Sequence, residues 1–124
     1  MAYDERIAAL NAKSGDLMAE GLAWLDQERA ARGADKTALL PRGHALARRL
    51  RSHMIDLSSS KALESSPDIA RLVLMAAKVA LHAFGADSPQ LEPYERDVYH
   101  YKGFDTARAL VEEYDSLKAA IRRG

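Results

Sequence analysis

The 124-residue sequence predicts an all-α protein. Three observations carry that expectation. Apolar residues recur at helical spacing in four separate segments. Those segments begin and end at serine, proline and glycine signals. Valine, isoleucine and threonine together number only ten, a composition that starves a sheet, while abundant alanine, leucine and arginine feed helices. The expected architecture is an antiparallel helical bundle of four main helices, with a short extra helical turn before the last, in one domain over residues 1–124. A chain of this length supports its own core without a staple. It has no cysteine, which removes disulfides, thiolate zinc sites and cysteine nucleophiles together.

The first segment runs from about Tyr3 to Arg32. Its seam is Tyr3, Ile7, Leu10, Ser14, Leu17, Gly21 and Trp24, with steps alternating four and three. Met18 and Leu25 widen it. Ser14-Gly15-Asp16 marks a point where the segment either continues or divides, with Asp16 then capping the second piece. Gly33 supplies a stop, because glycine alone takes a positive φ without strain. The second segment is expected after a turn at Pro41-Arg42-Gly43, with Leu46, Leu50, His53, Met54 and Leu57 buried. The third has the clearest start: Ser66-Pro67-Asp68 offers a capping hydroxyl, a proline at the first helical position and an acid in the first turn. From Ile69 to Phe84 only a narrow stripe of Arg71, Lys78 and His82 is polar. A helix so apolar is surrounded, either at the centre of the bundle or in a homodimer interface. Gly85 ends it. Pro89 and Pro93 interrupt the next stretch, and the last helix is expected from about Asp105, with Ala107, Leu110, Val111, Tyr114, Leu117 and Ile121 as its seam.

Eighteen basic residues balance eighteen acidic ones, which argues against a general affinity for nucleic acid or an anionic membrane surface. The one local excess is Arg42, Arg48, Arg49 and Arg51, a solvated helix face or an anion-binding patch. The opening residues Met1-Ala2-Tyr3-Asp4-Glu5 lack the basic and apolar regions of a signal peptide, and no apolar stretch is long enough to span a bilayer. A cytoplasmic location is expected.

No metal motif is present, and neither a metal nor another cofactor is expected. His53 and Asp56 share a helix side, but a bundle metal site needs matching acids on facing helices. The run His44-Ala45-Leu46-Ala47-Arg48 lacks the lysine and glycine of histidine phosphotransfer domains. Arg48 and His53, five residues apart, resemble the arginine–histidine spacing of the HEPN ribonucleases, which are small α-bundles. That resemblance implies an RNA-cleaving alternative, with His53 in acid–base catalysis and Arg48 on a phosphate. On a regular helix five residues turn about 140°, so the two side chains leave on different faces.

The most unusual feature is aromatic. Three of the five tyrosines fall between residues 94 and 101. Tyrosine combines apolar area with a hydrogen-bonding tip, and connections held by a rigid scaffold concentrate binding residues. The expected partner-binding residues are Tyr94, Arg96, Tyr99, His100, Tyr101 and Lys102, on a loop or a short, distorted helix. The leading functional expectation is a non-enzymatic interaction or regulatory protein with a protein partner. The alternatives are the RNA-cleaving reading and a sensory bundle holding a small apolar molecule between its helices.

Overall fold

The computed structural model describes residues 2–100 and 108–123, except for the side chains of residues 2–4. Among them are five α-helices and no strand: α1 (Ala2–Ala30), α2 (Ala34–Ser58), α3 (Pro67–Phe84), α4 (Glu92–Tyr99) and α5 (Arg108–Arg123). A single 3₁₀ turn, Pro89–Leu91, leads into α4. No helix among the described residues is long and apolar enough to cross a membrane.

Helix α1 is unbroken for 29 residues, about 44 Å at the helical rise. Ser14 keeps the helix intact by turning its hydroxyl back onto the Leu10 carbonyl, 3.1 Å away, a common use of serine inside helices. Asp16 therefore caps nothing and is exposed in mid-helix. Gly33, at φ +57°, turns the chain directly into α2.

Helix α2 begins at Ala34 and runs through Pro41, so the expected turn at Pro41-Arg42-Gly43 is corrected. Proline removes one backbone donor and crowds the preceding turn. Trp24 of α1 packs on the residues either side of the proline. The Trp24 indole N–H donates to the Leu39 carbonyl at 3.0 Å, and the ring covers the bare backbone of Gly43.

Helix α3 starts as the sequence predicts, with Ser66 Oγ accepting from the Asp68 amide at 3.2 Å. It ends at Gly85, at φ +97°. Ile69, Leu72, Val73, Met75 and Leu81 are buried within this one chain, and α1, α2, α4 and α5 all pack on α3. Its apolar circumference is therefore covered by its own neighbours. Burial of this helix needs no second copy of the chain.

Pro93 sits in the first turn of α4, where a proline costs nothing, so 92–99 is a regular helix rather than a loop or a distorted one. Tyr101, Lys102 and the expected start of the last helix near Asp105 lie outside the described residues.

Candidate functional site

Of the expected site residues that the structure describes, Tyr94 is set apart from Arg96, Tyr99 and His100. Tyr94 is 5% exposed, and its ring lies 6.2 Å from that of Phe84, so it belongs to the core and not to an exposed tyrosine patch. Tyr99 is 39% exposed, but its hydroxyl donates to Asp115 Oδ1 at 2.7 Å. Tyr114, fully buried, donates to Glu95 Oε2 at 2.8 Å, and Lys118 reaches the same oxygen. These bonds latch α4 to α5. Burial and the Asp115 carboxylate push the Tyr99 phenol up to about 12. Burial and Glu95 push Tyr114 up as well. Both phenols thus stay protonated donors at neutral pH. Arg96 and His100 are exposed, with Arg96 beside Glu92 at 3.6 Å.

Arg48 and His53 also part company. Arg48 is exposed at a cleft between α2, α3 and α4 whose lining does not include His53. His53 is 1% exposed under α1, with Nε2 2.8 Å from Ser14 Oγ. Because the Ser14 hydroxyl donates to Leu10, the His53 Nε2–H is the donor in this pair. Its buried Nδ1 has no partner among the described residues. Burial, and then the charge of Lys13, lower its pKa. Asp56 opposes the shift and does not cap the ring. His53 is thus held neutral in the core, apart from the Arg48 cleft.

The basic run disperses too. Arg42 bonds Gln27, Arg49 pairs with Glu20 at 2.8 Å, and Arg51 pairs with Asp97 at 2.7 Å. Among the described residues no group of three or more histidines and carboxylates is placed to hold a metal ion.

What the fold builds instead is a cleft of about 650 Å³ between α1, α3 and α5. Leu22, Leu25, Leu81, Leu117 and Ile121 supply its apolar wall. Arg29, Arg32, Lys36 and Lys78 face it with Asp26, Glu28 and His82. At its base lies a buried carboxylate. Glu28 is 4% exposed; its Oε1 is 3.1 Å from Lys36 Nζ and its Oε2 is 3.2 Å from His82 Nδ1. Each carboxylate oxygen has a donor, the condition for keeping a charge buried. Burial lowers the His82 pKa, more than Glu28 raises it. Arg32 Nη1 donates to the carbonyls of Arg29 and Ala31 at 2.8 and 2.9 Å, closing the C-terminal end of α1. Lys78 pairs with Glu113 at 2.7 Å across to α5.

Glu28 escaped the reading of the sequence, although a signal for it exists. The α1 seam steps four and three to Trp24, and the next step of four lands on Glu28. A carboxylate at a core position of an amphipathic helix needs a partner, and Lys36 and His82 are that partner. No family model matches this chain, and no curated protein or solved structure matches it either.

Proposed function

We propose that this protein is a ligand-binding helical bundle, its helices antiparallel around α3, that acts by binding and without chemistry of its own. Its ligand is a small anionic amphiphile, a carboxylate carrying an apolar chain, held in the α1–α3–α5 cleft. The observation that carries this reading is the lining: five leucine and isoleucine side chains beside four cations and only two carboxylates. Ligand sites are largely apolar clefts with a few placed polar groups, and about 650 Å³ lies within their range. Glu28 is already paired on both oxygens, so it leaves the cations at the mouth, Arg29 above all, to meet an incoming anion. Arg29 is 81% exposed, and its only paired carboxylate among the described residues, Asp26, is 3.9 Å away. The reading takes the protein as cytoplasmic and gives self-association no part.

The test is calorimetric titration with decanoate, decanol and decyltrimethylammonium. Decanoate is expected to bind and the cation not to bind. Leu22→Glu, at a side chain 56% exposed on the cleft wall, should weaken decanoate at least tenfold while the fold survives. Equal binding of all three compounds, or none, sinks the reading. A second reading, a protein partner at the end of α4, is favoured by one observation: Arg96, Tyr99 and His100 are exposed together there. It predicts that Tyr99→Ala abolishes capture of that partner and leaves decanoate binding alone.

A further inference from the structure

We propose that the second cleft, between α2, α3 and α4, is a binding site for a nucleoside monophosphate. This inference is independent of the decanoate cleft. The space is about 490 Å³, lined by Arg48, Arg51, Ser52, Ile55, Phe84, Gln90, Pro93 and Tyr94, which is ample for a ligand of that size.

The charge argument starts with arginines. Three of the four in the basic run are engaged by Gln27, Glu20 and Asp97. Arg48, exposed at the cleft, makes no hydrogen bond or ion pair among the described residues. A guanidinium is a planar fork of donors that matches phosphate oxygens two at a time. Arg51 is held in place by two bonds to Asp97, at 2.7 and 3.3 Å, so it stands beside Arg48 with its charge largely balanced. Among the described residues Arg48 is thus an exposed cation without a partner, next to a balanced one, and it offsets part of the charge of a single phosphate. A triphosphate would bring more charge than these groups offset.

The rest of the lining fits the remainder of such a molecule. Ile55, 42% exposed, joins Phe84 and Pro93 in an apolar surface on which a planar base can lie. That surface is fixed from behind: His44 stacks on Phe84 with centroids 4.3 Å apart and planes 8° from parallel. The His44 ring is itself held by a bond between Nε2 and the Ala83 carbonyl at 2.9 Å. Gln90 offers an amide with both a donor and an acceptor, the pattern of a base edge. The Tyr94 ring is buried, and its hydroxyl makes no hydrogen bond among the described residues. Burial raises the Tyr94 pKa, against the pull of Arg48 and Arg51. It therefore remains a donor beside the two guanidiniums.

Isothermal titration of the intact protein with AMP, GMP, CMP and UMP tests the proposal, with adenosine and inorganic phosphate as the two halves. At least one nucleotide is expected to bind, with each half at least tenfold weaker. Arg48→Ala should weaken the nucleotide at least tenfold without moving the melting temperature, since the side chain is exposed and has no partner among the described residues. Lys61→Ala, exposed between α2 and α3 and outside both clefts, should leave it unchanged. The proposal is overturned if none of the four nucleotides binds, or if inorganic phosphate binds as tightly as they do. It is also overturned if Arg48→Ala binds like the parent, or if Lys61→Ala weakens binding as much as Arg48→Ala does.

Discussion

The junction of α1 with α2 and α3 is closed, whereas the junction of α3 with α5 is open, and different chemistry holds each. In the closed junction large side chains lie in the space that glycine leaves. A Cβ on Gly43 would sit 2.3 Å from Trp24 Cζ2, and one on Gly21 would sit 2.7 Å from Met75 Sδ. Leu17, Trp24, Leu50 and Leu57 are almost wholly buried there. In the open junction Leu117 and Ile121 are only half-buried. A long polar arm spans the gap, Lys78 to Glu113, while α4 is tied to α5 by Tyr114 and Lys118 to Glu95 and by Tyr99 to Asp115. Close steric fit sets helix spacing and leaves no volume for a ligand. A polar arm fixes orientation without filling the space beside it, and Lys78 lines the larger cleft.

The largest effect should come from the closed side. Trp24→Ala removes a side chain 1% exposed, together with its bond to Leu39, and is expected to cost about 3–5 kcal/mol in urea unfolding. Gly43→Ala should also destabilise, although alanine is worth about 1 kcal/mol over glycine in a helix. The indole is buried and tethered, so it has no room to yield to the new methyl. At Gly21 the obstacle is the flexible end of Met75, so Gly21→Ala should be far milder. Leu117→Ala, half-buried on the open side, should cost on the order of 1 kcal/mol. If it costs as much as Trp24→Ala, the contrast between the two junctions fails.

Most of this division of labour was legible in part. The α1 seam from Ile7 to Trp24 and the α2 stripe from Leu46 to Leu57 face inward as their spacing predicts. So do the cap at Ser66 and the stop at Gly85, because each is a local signal whose cause lies within a few residues. Pro41 misled because it lies in mid-helix, and the residues beside it, Leu39 and Gly43, pack on Trp24 of another helix. The tyrosines misled for a similar reason. Whether a tyrosine seals a core depends on what arrives from elsewhere in the chain to cover it, and Tyr94 lies against Phe84 of α3. Each cleft is made by three helices brought together only in the fold, so neither is written in any one segment.

A smaller effect tests the latch. The Tyr114 hydroxyl is buried and donates to a charged acceptor, an arrangement worth about 1.5–3 kcal/mol. Lys118 still serves Glu95 when that hydroxyl is removed, so Tyr114→Phe should fall at the lower end of that range. Tyr99→Phe removes a bond of similar length from a ring 39% exposed, where water replaces the lost partner. It should change stability by no more than about 0.5 kcal/mol. Equal losses from the two substitutions would show that the latch is uniformly buried, and the open character assigned to this side would be wrong.

The smallest effect distinguishes the two junctions by pH. His53 lies in the closed one and His82 in the open one, and burial lowers both below the ordinary value of 6.5. In the unfolded chain each takes up a proton near 6.5, while in the fold each resists doing so until the pH is lower. Between those two values the unfolded state binds more protons, so stability is complete above 6.5 and falls as the pH drops through that window. However far the folded value is lowered, one histidine loses at most about 1.4 kcal/mol by pH 5.5. The neighbours set how near each comes to that bound. At His53 the charge of Lys13 adds to burial and outweighs Asp56, whereas at His82 the foremost opposing influence is Glu28, bonded directly to the ring. Urea unfolding at pH 7.5 and 5.5 should therefore show wild type losing stability in acid. His53→Gln, which keeps an amide for Ser14, should flatten that loss more than His82→Gln does. A larger flattening from His82→Gln would place the more strongly desolvated histidine in the cleft and reverse the assignment of closed and open sides.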